Sequence, residues 1–168
     1  MSEKVARLAV TTLRNSMFPL LPQQIRDMFP KILDPLVDQT EKVPNIVVGQ
    51  YQDFGANAGL PMIAVNCEGA SEGIVNVYRH ITMHVDIWVG ANQSPNVDAR
   101  RIASIIYEYV FRSLQNVNWS SKLVDGISAV QIERCYELER SAILFEPTNK
   151  IYHIANSYRV EALSQTWY

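Results

Sequence analysis

Residues 80–88, HITMHVDIW, gather two of the chain's three histidines and an aspartate into one short stretch. Imidazole and carboxylate are the side chains that bind zinc and that move protons in catalysis, so spacing decides what this cluster can do. Zinc holds its nitrogen ligands at about 2.0–2.1 Å. On an extended strand, which rises about 3.4 Å per residue, His80 and His84 stand about 13 Å apart and His84 and Asp86 about 7 Å. The i, i+4 pairing that stacks two histidines over one ion works on a helix and fails on a strand. A single ion therefore cannot take both histidines, and His84 with Asp86 needs a neighbouring strand to complete a site. The plainer reading is the polar side of a strand, with His80, His84, Asp86 and Trp88 facing solvent or another subunit. No metal, cofactor-binding or catalytic residue is assigned there.

Other stretches carry partial motifs. GASEG, residues 69–73, fits the Gly-x-Ser-x-Gly pattern of a nucleophile elbow, with Ser71 as nucleophile and Asp125 and His153 following in hydrolase order. That chemistry needs a strand–turn–helix setting to aim the serine. Here the turn runs into another strand-like segment, IVNVYRHITMHV. GANAG, residues 55–59, has the glycines of a phosphate loop but is followed by Leu60-Pro61 in place of the lysine and hydroxyl side chain. Glu133, Glu137 and Glu139 alternate along GISAVQIERCYELER and read as one acidic strand face. Such a face is either solvated or turned toward a channel, where like charge keeps DNA phosphates from sticking.

The elements that must hold these residues follow from periodicity. Val5, Leu8, Ala9, Thr12 and Leu13 make one face of a helix that stops near Phe18-Pro19. Ile25, Met28, Phe29, Ile32, Leu33, Leu36 and Val37 keep a helical period, broken by Pro30 and Pro35, which predicts two short helices or a break. NIVVGQY and PMIAVNCE read as strands, with GASEG as a turn. Strict alternation from Ile74 to Val89 puts Ile81, Met83, Val85, Ile87 and Val89 on the inner side. The ANQSPN loop has helix-start chemistry, and the next helix is expected to bury Ala99, Ile102, Ala103, Ile106, Tyr109, Val110 and Leu114. SAILFE and IYHIANSYRVEAL form a closing hairpin around PTNK. The order predicts a single α+β domain over 1–168, a mostly antiparallel β-sheet with helices packed on one face. Its helical N-terminal region covers about 3–38, and the sheet and central helix about 43–163.

Bulk properties narrow the function. With 168 residues, 48% hydrophobic and 19% charged, the chain suits a globular domain with its own core. A net charge of -2 argues against affinity built on phosphate neutralisation. Cys67 and Cys135 form no CxxC pair and read as reduced, buried side chains. The charged opening SEKVAR predicts no secretory leader, and no run has the roughly 18 apolar residues of a membrane span.

The segment HITMHVDIWVGANQSPNVDARRIASIIYEYVFRSL joins a long alternating strand ending in Asp-x-Trp, a polar loop and one amphipathic helix. An N-terminal helical region and the strand PMIAV precede it, and a hairpin closing on YRVEAL follows. Over about residues 3 to 163 this layout resembles the tail terminator, or tail completion, proteins of long-tailed bacteriophages. The resemblance implies a structural role without a cofactor. Such proteins form a ring, commonly a hexamer, on the end of the tail tube; they stop its growth and offer a surface to the head–tail connector protein. Genomic DNA passes through the hole without sequence-specific binding, and no membrane is involved. The expected place is the head-proximal end of the tail in the virion, and the host cytoplasm during assembly. In such a ring Glu133, Glu137 and Glu139 would face the channel. Trp88, Tyr78, Trp119 and Trp167 join His80, His84 and Asp86 as interface residues. The alternatives are another neck or head–tail connector protein, or a small hydrolase using Ser71 and His153 or a metal on His84 and Asp86.

Overall fold

The computed structural model describes residues 2–33, 40–50, 59–72, 78–92, 98–115, 123–125 and 128–166. Helix α1 (Ser2–Thr12) runs into a π-helical turn over Leu13–Met17 and a 3-10 turn over Phe18–Leu20, and α2 (Gln23–Arg26) is a single turn. Val5, Leu8, Ala9, Thr12 and Leu13 are all buried, as their spacing predicts. Arg14, on the π-helical turn, donates from Nε to the carbonyl of Ile46 at 3.0 Å, which ties the helical region to the sheet.

The proline-rich second segment departs from its helical period. After Pro30 the chain is extended, and β1 (Lys31–Leu33) pairs antiparallel with β2 (Lys42–Pro44) as a separate two-stranded ribbon. Pro30 has no N–H to give a helix and disfavours helical backbone before it. The three- and four-residue spacing of Ile32 and Leu33 is therefore not expressed. Leu36 and Val37 lie outside the described residues.

The remaining strands are β3 (Ile46–Val48), β4 (Met62–Glu72), β5 (Tyr78–Gly90), β6 (Leu123–Asp125), β7 (Ser128–Arg140), β8 (Leu144–Glu146) and β9 (Ile151–Thr166). They form one seven-stranded sheet in the order β3-β4-β5-β9-β7-β6, with β8 also pairing to β9. Every pairing is antiparallel except β3 with β4. Helix α3 (Ala99–Gln115) crosses between β5 and β6. Both α1 and α3 pack on the same side of this sheet, so the chain is an α+β domain.

Alternation in β5 sets which side is which. Ile81, Met83, Val85, Ile87 and Val89 have at most 1% of their surface exposed, while the residues between them are half-buried. Burying one such side chain stabilises by roughly 1.5–3 kcal/mol. A one-residue slip would trade five of them for His80, Thr82, His84, Asp86 and Trp88, which fixes the register. On α3 the buried set is Ala99, Ile102, Ala103, Ile106, Tyr107, Val110 and Leu114. Tyr107 takes the place expected of Tyr109, because one turn past Ala103 the inward face includes position 107 and leaves 109 to one side.

GASEG is not a turn. Strand β4 continues through it to Glu72, with a bulge between Glu68 and Ala70 where Gly69 takes φ +55. A left-handed residue lets one extra position enter the strand while pairing with β5 continues, and glycine adopts it without a Cβ penalty.

Candidate functional site

The side of the sheet opposite the helices is covered at its β3 and β4 end, where Ile32 and Leu60 pack with Trp88 over the buried Val47, Met62 and Ala64, and is open across the rest. Cross-strand register builds it in rows across β4, β5, β9 and β7. One row is Met62, Trp88 and His153; the next is Ala64, Asp86 and Ala155; then come Asn66, His84, Ser157 and Glu139. Beyond these lie Glu68, Thr82, Arg159 and Tyr136. Residues opposite each other in a ladder project to the same side, so partners that are far apart in sequence become neighbours here.

All three histidines of the chain stand on this face, each beside a carboxylate. His84 Nε2 is 3.5 Å from Glu68 Oε2, His153 Nε2 is 3.6 Å from Asp86 Oδ1, and His80 Nδ1 is 3.8 Å from Glu161 Oε1. These contacts are longer than good hydrogen bonds, and they become ion pairs only when the imidazoles are protonated. Arg134 Nε also lies 3.8 Å from Glu161 Oε2. The ring of His153 stacks flat on Trp88, with centroids 3.7 Å apart and planes 7° from parallel. Two shallow depressions follow the rows. One of about 420 Å³ is lined by Glu68, His80, Thr82, His84 and Arg159, and one of about 400 Å³ by Asn66, Glu68, Asp86, Trp88, Glu146 and His153.

The alternation of β5 predicts His80, His84, Asp86 and Trp88 on one polar strand face, and the structure puts them there. It does not predict Glu68, Ser157, Arg159 and Glu161, which join the face only through strand pairing. Their alternation along β4 and β9 is the available signal, but no single strand says which partner lies opposite.

The acidic strand is a correction. Two bulges in β7, between Ile132 and Arg134 and between Glu137 and Glu139, each insert one unpaired residue. Alternation resets at each, so Glu133, Glu137 and Glu139 do not share a face. Glu139 stands opposite Ser157 on the open side. Glu137 stands opposite the buried Tyr158 on the helix side, where its Oε2 accepts a hydrogen bond from Tyr107 Oη at 2.7 Å. Arg140 lies over the ring of Tyr107, 4.6 Å from its centroid. Burial first, and then the hydrogen bond to Glu137, push Tyr107 up to about 12. Burial also raises Tyr158, and it lifts the Cys67 thiol to about 12.

The hydrolase set is dispersed. Ser71 pairs with His80 and His153 with Trp88, eight positions along β5 and so roughly 27 Å apart. Asp125 lies in β6 at the far edge, opposite Ser128. Ser71 also sits inside a strand, and the next element among the described residues is the strand β5 rather than the helix an elbow needs. A different contact takes its place: Ser157 Oγ lies 3.2 Å from His84 Nδ1, with Glu68 at the other nitrogen. Hydrogen-bonded serine, imidazole and carboxylate are the parts of a nucleophile relay. The relay also needs free donors for an oxyanion, and the backbone of β9 around Ser157 is paired on both sides, to β5 and to β7.

His84 and Asp86 take separate partners. Among the described residues no group of three or more His, Cys, Asp or Glu side chains is placed to hold a metal ion. GANAG falls outside the described residues except for Gly59, as do Trp119 and Trp167; Tyr78 opens β5. Among the described residues no helix is long and apolar enough to cross a membrane. No protein-family model matches this chain, and no curated protein matches it.

Proposed function

We propose that the chain is the subunit of a non-enzymatic homo-oligomeric ring that caps the tail tube of a long-tailed bacteriophage and presents a docking surface to the head–tail connector protein. The observation that carries the reading is the one-sided cover of the sheet. Helices α1 and α3 shield one face, while on the other only the β3 and β4 end is covered, by Ile32 and Leu60, and the rest is left half-buried with histidines, carboxylates, arginines and Trp88 in ordered rows. A monomer can leave such polar groups on a sheet face in water. A protein that packs against a second copy gains pairing partners for them, and tryptophan and arginine are residues that interfaces favour.

Glu133 and Glu139, both exposed, are the acidic side chains offered to a lumen through which DNA passes. Glu137 is not among them, because it is engaged beneath α3. Size-exclusion chromatography with light scattering, followed by negative-stain imaging at micromolar concentration, tests the proposal. A closed ring that binds purified tail tubes is the expected result. A strictly monomeric protein that fails to bind tubes would sink it. Recovery on tails made without heads separates a terminator from a neck or connector protein, which would be found only with filled heads.

A further inference from the structure

The two layers of the subunit differ in charge. On the open face, the depression between β4 and β8 is lined by Glu68, Asp86 and Glu146 together with the stacked Trp88 and His153. Its described lining contains no arginine or lysine; Glu68 and Asp86 stand beside imidazoles instead. On the opposite layer α3 buries one side against the sheet and exposes Arg100, Arg101, Glu108 and Arg112 outward. Three guanidinium groups against Glu108 and the capping Asp98 leave that helix face net basic. Arg101 and Arg112 lie three turns apart on one stripe, roughly 16 Å along the axis.

An acidic depression with aromatic side chains in its lining suits a guanidinium. Carboxylates accept its forked N–H groups, and its flat face stacks on an aromatic ring. We propose that this depression receives the arginine face of α3 from the next copy of the chain. The inference rests on the ring reading above and names the two surfaces that make the ring. Because the depression and α3 lie on opposite layers of the subunit, the contact is head-to-tail. Each copy uses one surface forward and one backward, and all are satisfied only when the ring closes.

The test uses two charge-reversed forms of the full chain. One carries Glu68→Arg with Glu146→Arg, and the other carries Arg101→Glu with Arg112→Glu; circular dichroism checks that each is folded. Each form alone is expected to lose the ring at concentrations at least tenfold above those at which the unaltered chain assembles. Mixed one to one they are expected to reassemble, alternating around a ring of even number, and a chain carrying all four substitutions is expected to form a ring by itself. If the unaltered chain forms rings and the reversed forms do so equally well, the surface assignment is overturned while the ring reading stands. If the reversed forms fail singly and also fail when mixed and when combined, the pairing of these two surfaces is overturned. If the unaltered chain is monomeric, the ring reading itself falls and this assignment with it.

Discussion

Trp88 and His153 stack face to face at 3.7 Å across β5 and β9, although Trp88 closes one run of alternation and His153 opens another. The pair caps the open face where β8 joins the sheet. Stacked aromatic pairs contribute roughly 0.5–1.5 kcal/mol beyond their burial. A double-mutant cycle with Trp88→Ala and His153→Ala, measured by urea denaturation, is expected to return a coupling energy in that range. Strict additivity would mean that the stack contributes nothing to stability in solution.

The hydrogen bond from Tyr107 to Glu137 gives α3 a polar anchor on β7. Tyr107→Phe keeps the ring and its contact with Arg140 but leaves the carboxylate without its donor, at a cost of about 1–2 kcal/mol. The pH dependence follows from the raised pKa. The folded protein holds this proton from the ordinary value of 10.0 up to about 12. The resulting stabilisation is whole below pH 10 and is lost as pH rises through 12. Denaturation midpoints at pH 9, 10 and 11 should fall more steeply for the natural chain than for Tyr107→Phe. Some slope should persist, because Tyr158 is raised in the same direction.

Cys67 lies on the inner side of β4, and burial lifts its thiol from 9.0 to about 12. At pH 8 that shift leaves roughly a thousandfold less thiolate than an exposed cysteine carries. Iodoacetamide should modify Cys67 in the folded chain on the order of a thousandfold more slowly than in urea, read by peptide mass spectrometry. Rapid labelling of the native protein would show that β4 opens to solvent at this point.

Gly69 has open space around it: a Cβ added there would meet no atom within 4 Å, so substitution tests conformation rather than packing. At φ +55 a side chain costs roughly 1–2 kcal/mol, and asparagine tolerates the region better than most residues. Thermal denaturation should rank Gly69→Val below Gly69→Ala, and Gly69→Asn nearest to the natural chain. Equal stability of all three would mean that the bulge relaxes without cost.

How far the sequence speaks differs from element to element, for physical reasons. The inner and outer sides of β5 are legible because a period of two over thirteen residues has a single solution once one side is apolar. Helix α3 is legible for the same reason, apart from the exchange of Tyr109 for Tyr107, two aromatic residues beside a boundary that hydrophobicity alone does not divide. The bulges of β7 are not legible: each inserted residue obeys strand preferences locally, and only the partner strand reveals that it is extra. That is why three glutamates at even spacing look as if they share a face and do not. Ile32 and Leu33 mislead in the opposite direction, since their helical spacing is overridden by Pro30. The open face is half legible, through His80, His84, Asp86 and Trp88. Its other half comes from β4 and β9, and their registers depend on contacts distant in sequence.

Strand β9 carries a consequence for synthesis. It is the last strand of the described chain, yet it lies between β5 and β7 and also pairs with β8. The Ser157–His84 contact alone spans 73 residues. Until the ribosome has made β9, β5 and β7 each have an unsatisfied edge and no common neighbour. The sheet is completed by inserting its middle rather than by adding to its rim. Non-local pairings of this kind form slowly, and unpaired edges invite aggregation. A chain cut short before Ile151 should therefore be insoluble as a whole rather than merely trimmed, because what it lacks is the keystone of the sheet.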